Sequence, residues 1–364
     1  MGAKLLCFFL TSAFVAYYIY APVAKDFEEP WKVMFLSIGS SAIRNLAEAA
    51  DLLGLMDFVD ALALVTDADH VAAVSDENIT VMDTELNGVA VRLYVPRQAS
   101  AGLRRAVVFF HGGGWCLGHP GLRSYDHLTR LTANRLNAVV VSVNYRLAPK
   151  YHFPVQFEDA YSVTKFFLQR SILSQYGVDP DRVCVAGDSA GGNLAAAVAQ
   201  HLLEDSEVET KLKAQALIYP ALQALDLDLP SLPSYRETAH KPLLTRSFMV
   251  RLWSTYFTAN PSLREAMASN RHVPVESSHL FQFVNWSNLL PEELKKDHVY
   301  TAPAYSSPEL AQKYPGFLDV RAEPSFCFHF SASQLPLERR ERGYGLQTQC
   351  SESIDKFSDN FENT

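Results

Sequence analysis

Hydrophobic positions in the middle of the chain fall in short unbroken runs separated by amphipathic stretches. Residues 106–110, 138–143 and 183–186 are nearly all apolar, as strands buried on both faces require. Residues 212–218 repeat the pattern and stop at Tyr219-Pro220. Between these runs, 124–136, 157–176 and the Ala-rich 190–203 read as helices, with Gly177 ending the second. Alternation of this kind predicts an α/β fold with a mostly parallel sheet. Upstream, 79–82 and 89–95 alternate apolar and polar positions, which predicts an edge hairpin. Residues 41–65 carry apolar positions at helical spacing, broken near Gly54. The alternation stops at 221–323, where prolines and aromatics accumulate around helical stretches near 245–258 and 308–314. This segment is expected to form a helical cap. Its Trp253, Tyr256, Phe257, Phe281, Phe283 and Trp286 are core or pocket candidates, core packing being the commoner fate. Beyond 324 an apolar patch at 326–330 gives way to a polar run ending at Thr364, expected to be disordered.

Two glycine-rich segments at strand ends add candidate chemistry. The first, at 183–194, runs from strand to helix through Gly187-Asp188-Ser189-Ala190-Gly191. Gly-x-Ser-x-Gly in that setting makes a turn too tight for a Cβ and lifts the Ser189 hydroxyl out at the end of the strand. A serine so placed can attack a carbonyl if a neighbour takes its proton. The second is His111-Gly112-Gly113-Gly114-Trp115, directly after the 106–110 run. Its backbone N–H groups suit the negative charge that develops on a carbonyl oxygen under attack. The donors are expected to be Gly113 and Gly114, or Gly112 and Gly113, together with the Ala190 N–H. The loop lacks the Lys-Ser/Thr ending of a phosphate-binding loop. No metal-ligand cluster and no dinucleotide loop is found, so neither a metal nor a cofactor is expected.

Charge and cysteine content narrow the surroundings. A formal net charge of -8 argues against a nucleic-acid partner. Five cysteines in 364 residues make no disulfide framework. Cys184 sits in a core run. Cys116 is a possible disulfide residue in an oxidising compartment, with Cys327 or Cys350 as its partner.

The N-terminal region adds an expectation about location. Lys4 precedes 5–23, an uncharged stretch able to span a bilayer core, with Tyr17, Tyr18 and Tyr20 suited to its interface. A cleaved signal peptide is the other reading; a retained signal-anchor is the one adopted. Asn78-Ile79-Thr80 and Asn285-Trp286-Ser287 are glycosylation sequons that agree with a luminal body. The organisation expected is a cytoplasmic 1–4, an anchor at 5–23, linker and helical cap part at 24–78, a hydrolase core at 79–220, a cap at 221–323 and a divergent tail at 324–364.

Residues 107–115, 145–149 and 187–193 together resemble the hormone-sensitive-lipase branch of the α/β-hydrolases. The segments 16–20, 29–31, 145–159, 272–276 and 313–319 bring the resemblance closer, to the arylacetamide-deacetylase-like proteins. It covers residues 1 to about 324. It implies an α/β-hydrolase fold with a helical cap, in a single-pass type II endoplasmic reticulum membrane glycoprotein. It also implies a serine esterase or deacetylase acting through an acyl-enzyme on hydrophobic esters or arylacetamides. By motif, Ser189 is the nucleophile, and His111, Gly112, Gly113 and Gly114 form the oxyanion loop with Ala190. Asp188 is not the triad acid. Asn78 and Asn285 match glycosylated positions, and Cys116 matches a cysteine bridged late in the chain. The chain departs from the family beyond Pro324. The last strands, the triad Asp and His and the partner of Cys116 are not found there, and the end of the chain is expected to be truncated. His329 and Asp355 have no spacing that brings them to Ser189. The alternative to an active hydrolase is therefore a chain that keeps only ligand binding or interaction.

Overall fold

The computed structural model describes residues 30–98, 100, 102–221, 244–272 and 327–330. Two helices come first, α1 (Pro30–Leu52) and α2 (Phe58–Asp67). The break between them falls at Gly54, whose φ of 64° ends the helical path. Asp57 then caps α2, its side chain accepting from the Val59 N–H at 2.7 Å.

The hairpin follows as β1 (Ile79–Leu86) and β2 (Val89–Pro96), paired antiparallel through an Asn87-Gly88 turn. Both turn residues have positive φ, as a two-residue hairpin loop demands. The core then runs β3 (Arg104–Phe110), α3 (Arg123–Leu136), β4 (Ala138–Val143), α4 (Val155–Phe167), α5 (Arg170–Gln175), β5 (Val178–Asp188), α6 (Ala190–Glu204) and β6 (Ala214–Ile218). The sheet order is β1-β2-β4-β3-β5-β6-β7, with β4, β3, β5 and β6 parallel. Every residue of β4 is buried, which is why its sequence shows no alternation. The helix expected over 157–176 is two helices. Gln169 is extended, with ψ of 132°, and restarts the chain as α5 before Gly177 closes it.

Two helices of the cap are described, α7 (Arg246–Phe257) and α8 (Pro261–Ala268). Trp253, Tyr256 and Phe257 are buried, so they are core residues. Phe281, Phe283, Trp286 and the expected helix at 308–314 lie outside the described residues.

Two expectations are corrected. The sheet does not stop at β6: β7 (Cys327–Phe330) pairs parallel with it, Gln215 opposite Cys327 and Ile218 opposite Phe330. The apolar patch that looked like the start of a disordered tail therefore extends the sheet by one strand. The membrane-anchored, type II endoplasmic reticulum assignment is also withdrawn. Among the described residues no helix is long and apolar enough to cross a membrane. The stretch 5–23 on which that assignment rested lies outside them.

Candidate active site

The candidate serine, Ser189, follows a strand whose second half is buried. Val183, Cys184 and Val185 of β5 are fully buried, and the strand lies between β3 and β6. Ser189 takes φ 51° and ψ -115°, a region L-residues avoid and one that costs about 1–3 kcal/mol. Three backbone hydrogen bonds hold it there. Its N–H donates to Ile218 O at 2.9 Å, and its carbonyl accepts from Asn193 N at 3.1 Å and Ala221 N at 3.0 Å. Its side chain is partly exposed.

The glycines of the motif are required by contact. A Cβ on Gly191 would stand inside the Phe110 carbonyl and 2.6 Å from His111 O. One on Gly187 would stand 2.8 Å from Phe110 O and still closer to the Gly191 carbonyl. The start of α6 is thus pressed against the end of β3, where the glycine loop begins.

Gly112 is tied into the fold by its N–H. Its N–H donates to Asp188 Oδ1 and to the Tyr125 hydroxyl, both at 2.9 Å, while Tyr125 donates to Asp188 Oδ2 at 3.0 Å. The Gly112 N–H is thereby committed away from any ligand. Gly113 and Gly114, at φ of 102° and 64°, have N–H groups without an acceptor among the described residues. Cys116 N and Leu117 N both donate to Gly113 O and fix the turn. Trp115 beyond it is buried against Trp253 and Tyr256, at ring distances of 4.2 and 4.4 Å.

The residues around Ser189 carry displaced pKa values. Burial pushes Asp188 up to about 6, against the hydrogen bonds from Tyr125 and Gly112. Burial pushes His111 down to about 4. His111 stacks on Tyr145 at 4.3 Å, its Nδ1 lies 2.8 Å from Gly112 O, and its carbonyl accepts from the Tyr145 hydroxyl at 2.6 Å. It is a neutral packing residue that holds the base of the loop.

These two groups oppose each other in pH dependence. A neutral buried His111 stabilises the fold fully above its ordinary value near 6.5, and that contribution is lost as pH falls towards 4, because the unfolded chain binds the proton first. A protonated buried Asp188 stabilises below 3.8, and its contribution is lost as pH rises through about 6. Each amounts to about 3 kcal/mol over its window. In Asp188→Asn, the melting temperature relative to the parent is expected to rise steadily between pH 4 and 6. A pH-independent difference in calorimetry would refute this.

Of the other predicted positions, Asn78 is exposed at the start of β1, its carbonyl accepting from Arg97 N at 2.7 Å. Asn285 lies outside the described residues. Cys116 is a free, buried thiol beside Leu252 O, and the side chains of Cys327 and Cys350 lie outside what is described. His119 lies 3.7 Å from Asp67, and His152 meets Thr255 O at 2.8 Å, so both are engaged elsewhere. His329 is on β7 opposite Leu217, and Asp355 is outside the described residues. Among the described residues the Ser189 hydroxyl has no hydrogen-bonded base, and no group of metal ligands occurs. A polar groove of about 660 Å³ between the β1–β2 turn and α4 includes Asn87, Asn144 and Glu158 but none of these site residues. The part that sequence reasoning missed is Tyr125. Nothing in an amphipathic helix marks one tyrosine as a bridge between a glycine loop and a buried carboxylate.

A strained serine on a strand-to-helix turn, packed against a glycine loop on a mostly parallel sheet, defines the α/β-hydrolase class. The family model described as alpha/beta hydrolase fold matches residues 107–280. Arylacetamide deacetylase of Oryctolagus cuniculus is 56% identical over 92% of this chain and 84% of its own length. Neutral cholesterol ester hydrolase 1 of Bos taurus is 40% identical over 91% and 82%. The crystal structure of DphMB1 superposes with a TM-score of 0.55 at 28% identity, covering 84% of this chain and 91% of that one. The chain belongs to the arylacetamide-deacetylase-like family of α/β-hydrolases and is classed with its serine esterases and deacetylases.

Proposed function

We propose that the chain hydrolyses hydrophobic carboxylic esters or arylacetamides through an acyl-enzyme on Ser189. Ser189 Oγ attacks the substrate carbonyl carbon and gives up its proton, which the leaving alcohol or amine takes as its bond to the acyl carbon breaks. The N–H groups of Gly113, Gly114 and Ala190 stabilise the oxyanion, the alcohol or amine leaves, and water releases the acid. The observation that carries this reading is the packing of the Ser189 turn onto the glycine loop, with Gly191 against Phe110 and His111 and Gly112 bonded to Asp188. The relatives, an arylacetamide deacetylase and a neutral cholesterol ester hydrolase, support an apolar substrate. This chemistry does not depend on a membrane anchor.

One observation favours a second reading, a chain that binds such esters with little turnover. The described histidines that flank the loop, His111 and His119, are engaged elsewhere. A serine without an acceptor for its proton is a weak nucleophile. A fluorophosphonate probe separates the two. Stoichiometric labelling of folded chain, lost in Ser189→Ala, is the outcome expected of the hydrolase. Folded chain that resists the probe while retaining affinity for a hydrophobic ester would establish the binding reading instead.

A further inference from the structure

Among the described residues, six that are not glycine take a positive φ: Asn87, Asn137 and Asn270, with Trp115 at 60°, Ser189 at 51° and Tyr219 at 36°. Asparagine tolerates this region, whereas a bulky side chain there is an outlier that needs a cause. Strain of this kind gathers at functional sites, and the last three residues all lie at this one. Ser189 is the candidate nucleophile, and Tyr219 follows Ile218, whose carbonyl takes the Ser189 N–H. Trp115 directly follows Gly113 and Gly114, themselves at φ of 102° and 64°. Three positive φ values in a row make the turn that leaves the Gly113 and Gly114 N–H groups without an acceptor among the described residues.

What holds Trp115 in that conformation comes from the cap. Its indole is fully buried, stacked at 11° on Tyr256 with ring centroids 4.4 Å apart, and tilted against Trp253 at 4.2 Å. Both partners are on α7. Leu252 of the same helix closes on the turn: a Cβ on Gly114 would stand 2.5 Å from its Cδ1, and its carbonyl lies 3.8 Å from Cys116 Sγ. From the body, Ala148 N donates to Trp115 O at 3.0 Å. The two indole N–H groups and the Tyr256 hydroxyl are buried and find no acceptor among the described residues, so α7 grips Trp115 by ring contact rather than by hydrogen bonds.

We propose that Tyr256 and Trp253 are positioning residues: α7 holds Trp115 in its strained conformation, and Trp115 in turn sets the direction of the Gly113 and Gly114 N–H groups. The proposal rests on the reading of those two amides as oxyanion donors. Donors act only where the negative charge develops, so a small misplacement costs much of the rate. The donor pair is therefore complete only while α7 is seated. Withdrawal of α7 lets Trp115 relax to an ordinary φ and turns the two amides away, so a cap that moves α7 to admit substrate reassembles the donors as it closes.

Amide hydrogen exchange and probe labelling of the full chain test this together. Tyr256→Leu keeps an apolar side chain and removes the stacked ring. It is expected to speed exchange of the Cys116 and Leu117 amides, which bond to Gly113 O, by about tenfold more than it speeds the amides of β4. A residue that only stabilised the core would speed both by the same factor. The fluorophosphonate should bind Tyr256→Leu as tightly as the parent yet react with Ser189 about tenfold more slowly, because its phosphoryl oxygen uses the same donors. Tyr256→Phe keeps the ring and loses only a hydroxyl without an acceptor, so it should match the parent in both measurements. Trp253→Phe, a milder change, serves if Tyr256→Leu does not fold, and is expected to speed the same two amides about threefold more than β4. Equal factors at the turn and in β4 overturn the proposal, as does a loss in Tyr256→Phe as large as that in Tyr256→Leu. Folded parent chain that resists the probe sinks the hydrolase reading alone, and the exchange rates then decide whether α7 holds the turn.

Discussion

Gly191→Ala is expected to leave the chain unable to hold its native fold at 37 °C, with a loss of about 4 kcal/mol or more. The added Cβ would be driven into the Phe110 carbonyl and to 2.6 Å from His111 O. Both obstacles are backbone, at the end of a strand hydrogen-bonded on two sides, so neither can swing away as a side chain would. Relief requires α6 to lift off β3, which breaks the Asn193 and Ala221 bonds that hold Ser189 in its strained conformation. Overpacking ordinarily costs about 1–3 kcal/mol because side chains adjust. A backbone-on-backbone clash at a strained turn exceeds that range. Gly39→Ala is the internal control. Nothing stands within 4 Å of its added Cβ, and it sits inside α1, so a gain of up to about 1 kcal/mol is expected. Urea unfolding of both variants decides the matter. A Gly191→Ala chain within 1 kcal/mol of the parent would mean that the turn is looser than the contacts imply.

Much of this arrangement was legible in the sequence because it rests on local physics. The run at 138–143 is apolar but for Ser142 because β4 is buried on both faces, and Gly-x-Ser-x-Gly marks its turn because only hydrogen fits at Gly187 and Gly191. Long-range bonds left no such trace. Whether Gly112 or Gly114 faces a ligand depends on Asp188, 76 residues away, and on Tyr125 between them. The pairing of 327–330 with β6 was hidden for a similar reason: a four-residue Cys-Phe-His-Phe stretch ahead of a polar tail has no period, and only the open edge of β6 makes a strand of it. The break at Gln169 was missed because 157–176 contains no proline or glycine to announce it.

Asp126→Ala should be the most damaging single removal of a charge, at about 3–5 kcal/mol. Asp126 is buried on α3 and accepts three hydrogen bonds: from Arg92 at 3.2 Å, Tyr94 at 2.9 Å and Arg130 at 2.6 Å. Arg92 is itself 2% exposed, and its other bonds go to Asp83 and to Val71 O. Taking away Asp126 leaves a buried guanidinium and a buried phenol short of an acceptor, and removing one partner of a buried pair costs far more than the pair contributes. Asp83 makes the comparison. It holds Arg92 with two bonds, yet its side chain is 59% exposed, so water replaces it in Asp83→Ala and a loss of about 1 kcal/mol is expected. The damage should also reach the site, because Asp126 is the neighbour of Tyr125 on α3. Loosening that turn frees the phenol that ties Gly112 to Asp188, and the glycine loop loses one of the two acceptors that aim it. Thermal melts together with probe labelling at a temperature where both variants stay folded separate the two effects. Asp126→Ala is expected to lower the labelling rate relative to the parent at that temperature, and Asp83→Ala to leave it unchanged. Equal losses of stability in the two variants would show that Arg92, and not the buried carboxylate, carries the cluster.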